Sequence, residues 1–246
     1  MSKILKINSI EKTYYTLTDE VKAVDNFSLE LDKGEFVALV GPSGCGKSTI
    51  LSILSGLEKE DSGTIEATGN IGYMLQTDAL FDWLTILDNC LLGLKIQNKL
   101  TPENKQYVLN LLEKYGLKEF INSYPYQLSG GMRQRAALIR TLATKPDILL
   151  MDEPFSALDY QSRLTISDDV YKILKEEGKS IIIVTHDIAE AISICNRVIV
   201  LSKRPCSVKK IFNIDFDSKS IPTQNRKEIK FSSYYEQIWK EIDYEL

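Results

Sequence analysis

Four short stretches of the chain consist only of apolar residues, and the apolar positions in them are continuous rather than alternating. They lie at residues 36–40, 148–151, 181–184 and 198–201. This pattern is typical of strands covered on both faces, as in a parallel sheet flanked by helices. Three of the stretches run directly into glycine or polar residues, at Gly41, Asp152 and Thr185. Because ligands of open α/β sheets bind beyond the carboxyl ends of the strands, we expect one site at these three ends.

The segment between the first two of these strands, about 84–143, has the pattern of helices. Its first part places leucines at helical spacing, at Leu84, Leu87, Leu91 and Leu94. A second helix is predicted to begin after the cap Thr101 with Pro102 in its first turn and to end at Gly116. A third begins near Gly130 and stops before Pro146. These elements predict a helical subdomain inserted into an α/β core.

Both ends of the chain also carry a pattern. Alternating apolar residues at Phe27, Leu29 and Leu31 predict a β-rich N-terminal subdomain with antiparallel strands. Near the other end, apolar residues at helical spacing predict a short helical extension, about 226–246, that packs on the core. They are Phe231, Tyr235, Ile238, Trp239 and Ile242. We interpret residues 1–246 as a single domain.

Composition narrows the class of protein. The 246 residues are 43% hydrophobic and 26% charged, which are ordinary values for a globular domain, and the net charge is −4. A mildly acidic chain is not typical of nucleic-acid binders, and we expect no nucleic-acid partner. The sequence has no apolar run long enough to cross a membrane and no pattern of a secretory signal. Its four cysteines lack disulfide or zinc-ligand spacing, so we expect a reduced, cytoplasmic protein.

A glycine-rich loop follows the first apolar strand and precedes an apolar helix. The loop consists of Gly41, Pro42, Ser43, Gly44, Cys45, Gly46, Lys47, Ser48 and Thr49. Its backbone N–H groups and the helix N-terminus predict a site for nucleotide phosphates, with Lys47 at the β- and γ-phosphates and Ser48 as a ligand of Mg²⁺. Cys45 is interpreted as a small residue that contributes only its backbone N–H.

Two adjacent carboxylates, Asp152 and Glu153, end the second apolar strand. Hydrolysis of a nucleotide needs one carboxylate to hold Mg²⁺ and another to orient and polarise the attacking water. We assign Asp152 to the metal and Glu153 to the water, since neighbouring residues at a strand end can point to different places.

A second helix start suited to anions occurs at Ser129, Gly130 and Gly131, within the sequence Leu-Ser-Gly-Gly-Met at 128–132. A single ATP needs only one such helix end in its phosphate loop. With this motif the chain resembles an ATP-binding cassette (ABC) ATPase subunit, whose P-loop NTPase (RecA-like) core binds ATP between two subunits. The resemblance implies a head-to-tail homodimer, in which the signature motif of one subunit faces the ATP held by the phosphate loop of the other.

The same resemblance covers essentially the whole chain and assigns further residues in the expected order. It implies that Gln76 contacts Mg²⁺ and the attacking water, that His186 touches the γ-phosphate, and that Tyr14 stacks on adenine. Ser156 and Asp159 match the loop that crosses the dimer interface. Three arginines after the signature are interpreted as a solvated helical face with internal ion pairs: Arg133, Arg135 and Arg140.

Residues 77–95, here called the docking segment, resemble the part of ABC importers that receives a permease. The pattern beginning at Trp83, with Met132 after the signature glycines and Arg204-Pro205 near the end, is similar to the nitrate/sulfonate/taurine import subfamily. The resemblance implies ATP and Mg²⁺ as cofactors, two permease subunits, an extracytoplasmic binding protein, and a peripheral position on the cytoplasmic face of the membrane. It leaves nitrate, sulfonate, taurine, bicarbonate and a pyrimidine precursor open as the solute.

Two other functions remain open for such a sequence. One is the ATPase subunit of an export or lipoprotein-release system, which also uses a separate membrane subunit. The other is a soluble ABC ATPase that acts on nucleic acid or ribosomes without transport. Proteins of the second kind usually carry two cassettes or a long coiled-coil insertion, and this sequence has neither.

Overall fold

The computed structural model describes residues 2–15, 18–216 and 220–242. The strands are β1 (Lys3–Tyr15), β2 (Glu20–Asp32), β3 (Phe36–Val40), β4 (Ser62–Ala67), β5 (Ile71–Met74), β6 (Ile148–Asp152), β7 (Ser180–Val184), β8 (Arg197–Leu201) and β9 (Val208–Asn213). The helices are α1 (Lys47–Leu54), α2 (Ile86–Ile96), α3 (Pro102–Lys114), α4 (Gly130–Leu142), α5 (Tyr160–Glu176), α6 (Ile188–Ile194), α7 (Pro222–Asn225) and α8 (Ile229–Glu241).

The central sheet has six strands in the order β5-β6-β7-β3-β8-β9. All neighbours are parallel except β9, which runs antiparallel at one edge. Every residue of β3, β6 and β7 is buried, as the continuous apolar runs predict. A three-stranded antiparallel sheet, β2-β1-β4, forms the N-terminal subdomain. The predicted fold class is thereby confirmed.

The central sheet separates two apolar layers. Val37 and Leu39 of β3 pack on one side with α1 and the N-terminal sheet, whereas Phe36, Ala38 and Val40 pack on the other side with the helices. Successive side chains of a strand point to opposite faces, so both faces of this sheet are covered. Burial of each Val, Leu or Phe side chain contributes about 1.5–3 kcal/mol, which makes this sheet the rigid support of the strand ends.

The helices of the inserted segment begin at side-chain caps, and the sequence predicts the one at Thr101. Thr85 accepts a hydrogen bond from the Asp88 N–H at the start of α2, and Thr101 caps α3 in the same way. After α3 the chain turns at Gly116, whose φ of 74° lies in the left-handed region that glycine tolerates. α4 begins after the cap Ser129. All three helices lie within the predicted range 84–143.

The C-terminal extension packs on the back of the central sheet. The Asn225 side chain donates to the Ser193 carbonyl at the end of α6 over 2.8 Å, and Ile238 of α8 is fully buried. Residues 243–246 of the predicted extension lie outside the described residues. Within the described ranges, the structure contains no helix that is both long and apolar enough to span a membrane.

Candidate functional site

Four chain segments meet at the carboxyl edge of the central sheet. The strands β5, β6, β7 and β3 are parallel neighbours, so the residues that follow them lie side by side. Those residues include Gln76, the Asp152–Glu153 pair, His186 and the phosphate loop. The structure therefore brings the predicted catalytic residues and the predicted phosphate site to one edge.

The phosphate loop, residues 41–49, curls tightly because two of its glycines adopt positive φ. The φ angles are 69° at Gly44 and 130° at Gly46. A Cβ atom at Gly46 would stand 2.7 Å from the Ala23 carbonyl oxygen of β2, so only glycine fits there. The following backbone enters α1 at Lys47, and the N–H groups of the loop and of the first turn of α1 are suited to binding phosphate oxygens.

Lys47 is buried beneath this loop. Its Nζ donates to the carbonyl oxygens of Gly41 and Pro42, each over 2.8 Å. The side chain is only 7% exposed, so its ammonium group is held at the loop rather than extended into water. A cation held within reach of the loop is suited to a polyanionic ligand.

A pair of oxygen donors lies beside the loop. The Ser48 side chain is hydrogen-bonded to Asp152, and the Tyr73 hydroxyl donates to Asp152 Oδ2 over 3.3 Å. Burial raises the pKa of the Asp152 carboxyl above its usual range. A hydroxyl and a carboxylate next to a phosphate site are the hard oxygen ligands that Mg²⁺ prefers, so these residues fit the metal.

Glu153 lies between two polar side chains from neighbouring strand ends. Its Oε2 is 3.3 Å from Gln76 Nε2 and 3.2 Å from His186 Nδ1. The backbone of Glu153 has a φ of 42°, an uncommon value for a residue with a side chain, and its N–H donates to Val184 in β7 over 2.8 Å. At this turn the two carboxylates diverge, because Asp152 faces Ser48 whereas Glu153 faces Gln76 and His186.

The phosphate loop opens into a cavity of about 470 Å³. The cavity is lined by Tyr14, Val21, Ala23, Ser43, Gly44, Gly46, Lys47, Ser48, Thr49, Glu153 and Arg204. Tyr14 is partly buried at the wall, where its hydroxyl donates to Glu58, whereas its neighbour Tyr15 is 75% exposed. Of the two adjacent tyrosines, Tyr14 is therefore the one that lines the cavity.

The signature residues lie on a different surface of the molecule. Ser129 caps α4, accepting from the Met132 N–H, and a Cβ atom at Gly131 would collide with Ile166 of α5. Together with Gly130 they line a groove that shares no residue with the phosphate cavity. The structure therefore does not bring the signature to the phosphate loop of its own chain.

The predicted interface loop connects the two surfaces. The Ser156 hydroxyl donates to the Glu153 carbonyl over 3.0 Å, next to the phosphate site. Asp159 caps α5 by accepting from the Ser162 N–H over 3.1 Å and lines the signature groove. Residues 153–159 thus run from one surface to the other.

Arg204 is a site residue that sequence reasoning assigned no role. Its Nε and Nη2 donate to the Gly44 carbonyl at 3.1 Å and 2.6 Å, and its side chain lines the phosphate cavity. The two residues are far apart in the sequence, so no local pattern points to the contact. Only its place in the Arg204-Pro205 motif marked it.

The interpretation of the arginines of α4 as a solvated face was wrong for Arg140. Arg133 Nε forms an ion pair with Asp78 at 2.9 Å, and the half-buried Arg140 donates to the carbonyls of Asp78 and Ala79. Arg135 does form an ion pair on the surface, with Asp169 at 3.6 Å. The guanidinium groups of Arg133 and Arg140 therefore join α4 to the start of the docking segment.

Residues 24–156 match the family model described as "ABC transporter". The chain is 43% identical to the uncharacterised ABC transporter ATP-binding protein YtlC of Bacillus subtilis, covering 97% of this chain and 95% of YtlC. It is 38% identical to the taurine import ATP-binding protein TauB of Rhizobium johnstonii, with 90% and 88% covered, and 37% identical to the aliphatic sulfonates import ATP-binding protein SsuB of Bacillus anthracis, with 84% of each covered.

A solved structure has the same fold. It is the dimeric ATP-binding cassette MJ0796 in a post-hydrolysis state with bound ADP and Pi. The TM-score is 0.74 at 32% identity, and the match covers 86% of this chain and 99% of that one.

Proposed function

The chain belongs to the ABC transporter family of ATP-binding ATPase subunits, and from that premise we propose that it drives import of a small solute of the nitrate, sulfonate or taurine type. Its ATPase activity follows from the family. The solute class, the permease, the homodimer, the Mg²⁺ requirement and the roles of individual residues are parts of the proposal.

ATP supplies the phosphate bond that is broken, and Mg²⁺ supplies positive charge beside it. Lys47 exchanges its bonds to the loop carbonyls of Gly41 and Pro42 for the β- and γ-phosphates. Ser48 and Asp152 would hold the metal, with Gln76 as a further oxygen ligand. The base packs against Tyr14. These assignments are supported by the cavity, which has Tyr14 and Lys47 among its lining residues.

Glu153 orients and polarises the attacking water. Its carboxylate is held between Gln76 and His186, at 3.3 Å and 3.2 Å, so its orientation is set before nucleotide binds. Gln76 contacts the same water, and the side chain of His186, 55% exposed at the edge of the site, is free to reach the γ-phosphate. Positioning of these groups, rather than covalent chemistry, is what phosphoryl transfer to water requires.

A second copy of the chain completes each site. The signature groove lies away from the phosphate cavity of its own chain, and the N-terminus of α4 is a second anion-binding helix end. Two copies related by a two-fold axis bring each groove onto the ATP of the partner, with residues 153–159 crossing between them. The dimeric MJ0796 cassette supports this arrangement.

Replacing Ser129 with arginine is expected to prevent ATP-dependent dimer formation without weakening ATP binding to the monomer. The new side chain fills the exposed groove into which the partner's γ-phosphate must enter, but it touches no residue of the phosphate cavity. Light scattering with and without ATP measures dimer formation. The control is Ser129→Ala, which removes the cap at a cost of about 1 kcal/mol but leaves the groove open. An arginine variant that still dimerises with ATP would contradict the shared site.

The observation that carries the transport proposal is an exposed aromatic pair in the docking segment. Trp83 is 73% exposed, and its ring centroid lies 4.9 Å from that of Phe81. Exposed aromatic residues of this size mark binding surfaces for other proteins. Between this pair and Gln76, at the catalytic edge, lie Asp78 and Ala79, which Arg133 and Arg140 of α4 contact. A permease bound here is connected to both nucleotide-binding surfaces.

Import is favoured over export and over a soluble, non-transport role by the named relatives. TauB and SsuB are import ATP-binding proteins, and they align with 90% and 84% of this chain. The proposal therefore includes two permease subunits, an extracytoplasmic protein that delivers the solute, and a position on the cytoplasmic face of the membrane.

Replacing Trp83 with aspartate is expected to release the protein from its permease while preserving its ATP affinity. The substitution places a charge in the aromatic surface and alters nothing at the phosphate loop. The measurement is affinity purification of the tagged protein from detergent-solubilised membranes of its own host, followed by mass spectrometry. The control is Ile229→Asp, since Ile229 is a 94% exposed apolar residue on α8, away from the docking segment.

The identity of the co-purified proteins decides between the functions. Import is supported if a multi-spanning permease is lost only from the Trp83 variant. It is supported further if the ATPase activity of the unaltered protein with this permease in vesicles responds to a binding protein loaded with taurine, another sulfonate or nitrate. A four-span export subunit, or ribosomes, would contradict it. Equal recovery of the permease with both variants would remove the docking segment from the proposal.

A further inference from the structure

Two cysteines lie together at the base of the phosphate loop. Cys45 belongs to the loop and Cys206 follows β8, and both side chains are buried. Their side chains are close enough to influence each other's ionisation. Nothing in the proposed ATPase cycle uses either sulfur atom, although the sequence reading had treated Cys45 as a source of a backbone N–H alone.

The backbones that carry the two thiols are held close on both sides of the pair. Cys206 is tied to β2, where its N–H donates to Ala23 and its carbonyl accepts from Asp25, each over 2.9 Å. Arg204 holds the Gly44 carbonyl, and a Cβ atom at Gly46 would stand 3.0 Å from that of Cys206. The loop and the segment after β8 are therefore packed so closely at Gly46 that no side chain fits between that residue and Cys206.

The surroundings shift the pKa values of the two thiols in opposite directions. The hydrogen bond from Cys206 and the Lys47 ammonium, whose Nζ is 3.9 Å from Cys45 Sγ, lower the pKa of the Cys45 thiol. The same hydrogen bond, together with burial, raises the pKa of Cys206. Elsewhere, burial raises the pKa of Cys90 to about 12, and that thiol donates to the Ala136 carbonyl. Cys45 thus has the lowered pKa that favours a reactive thiolate, and it lies next to a thiol whose pKa is raised.

We propose that Cys45 and Cys206 are a thiol modification site, which a hydroperoxide converts to an intramolecular disulfide that inhibits the ATPase. The Cys45 thiolate attacks one oxygen of hydrogen peroxide, the O–O bond breaks, and the departing hydroxide takes a proton to become water. Cys45 is then a sulfenic acid. Cys206 attacks its sulfur, the S–O bond breaks, and the proton of Cys206 leaves with the hydroxide as a second water.

In this reaction the two sulfur atoms lose two electrons and the peroxide gains them. A dithiol reverses it by becoming a disulfide itself and returning two protons to the cysteines. The bond fixes residue 45 to the segment after β8 and removes the thiolate that faces Lys47. The phosphate loop then loses the freedom it needs to exchange the Lys47 carbonyl contacts for phosphate oxygens. This inference does not depend on the solute or on the permease.

The test treats the purified, reduced protein with hydrogen peroxide and maps its thiols by mass spectrometry without reduction. The expected product links the peptides of Cys45 and Cys206 and is lighter by two hydrogen atoms, and the ATPase activity lost in parallel returns with dithiothreitol. Saturating ATP is expected to slow the loss. Cys206→Ser is expected to lose the reversible phase, whereas Cys90→Ser, a matched substitution of a buried cysteine, keeps it.

Three outcomes would overturn the proposal. They are a linkage between other cysteines, oxidation of Cys45 to sulfinic acid with no linked peptide, and four thiols that remain reactive after the treated protein is unfolded. The mapping uses the unaltered protein, so it decides the question even if Cys206→Ser folds poorly. A linked protein with unchanged ATPase would refute the inhibitory part.

Discussion

Replacing Glu153 with glutamine is expected to lower the rate of ATP hydrolysis by about 10²–10⁴-fold, the usual contribution of a positioned general base. Glutamine keeps the size of the side chain and can still contact Gln76 and His186, but it cannot accept the proton of the attacking water. ATP binding is expected to stay intact, because Lys47, Ser48 and the loop backbone are unchanged. With hydrolysis blocked, ATP and Mg²⁺ should hold the protein as a dimer.

Steady-state phosphate release and light scattering measure the two effects on the same sample. Glu119→Gln is a suitable control, because it removes the same charge from an exposed residue of the helical subdomain. Brisk hydrolysis by the Glu153 variant would overturn the assignment of the water-polarising group. A persistent monomer that binds ATP normally would instead mean that the permease is needed to bring the two copies together.

Replacing Lys47 with alanine is expected to weaken ATP binding itself by about 10- to 100-fold. A hydrogen bond to a charged group contributes about 1.5–3 kcal/mol, and each 1.4 kcal/mol corresponds to about a factor of ten in affinity. Lys47 lines the phosphate cavity, and its ammonium group is already held 2.8 Å from each of two carbonyl oxygens of the loop. Isothermal titration with ATP measures the loss.

Lys33→Ala provides the matched control, because it removes an equal charge from an exposed lysine far from the loop. A thermal unfolding curve for each variant separates lost affinity from a loosened loop, since Lys47 also braces the carbonyls of Gly41 and Pro42. Normal ATP affinity in a folded Lys47→Ala protein would refute the phosphate role of this residue.

The central strands could be predicted because burial on both faces leaves a continuous apolar run. The predicted runs at 36–40, 148–151, 181–184 and 198–201 correspond to β3, β6, β7 and β8 within one residue at either end. The helix starts at Thr101 and Ser129 could be predicted equally well, because a capping side chain bonds to backbone N–H groups that are close to it in the sequence.

Other strands gave no such signal. β4 has only Ile65 partly buried and pairs at the edge of the N-terminal sheet, so its sequence is largely polar. β5 has four residues, too few for a pattern to be distinguished from a turn. β9 is an antiparallel edge strand with only Phe212 buried. Pairing with a neighbour, rather than side-chain burial, makes these segments strands.

Side-chain contacts between distant parts of the chain were the part of the site that could be predicted least from the sequence. The approach of Arg204 to Gly44 and the pairing of Cys45 with Cys206 depend on β8 lying next to β3 in the sheet. The periodicity of apolar residues along the sequence does not indicate which strands are neighbours in the sheet. The same holds for Arg140, where helical spacing indicated an outward position but the turn at Ala79 folds back over the side chain.

The contacts of Arg133 and Arg140 with Asp78 and Ala79 also limit how the protein can be re-engineered. If residues 77–95 alone recognised a membrane partner, grafting that peptide onto another cassette would be enough to change its partner. Here the peptide is anchored by two guanidinium groups from a helix more than thirty residues downstream. On the role proposed for the docking segment, we expect the smallest transplantable unit to be this segment together with α4. A chimera made from the peptide alone is expected to bind its new partner without transmitting a motion to the signature helix.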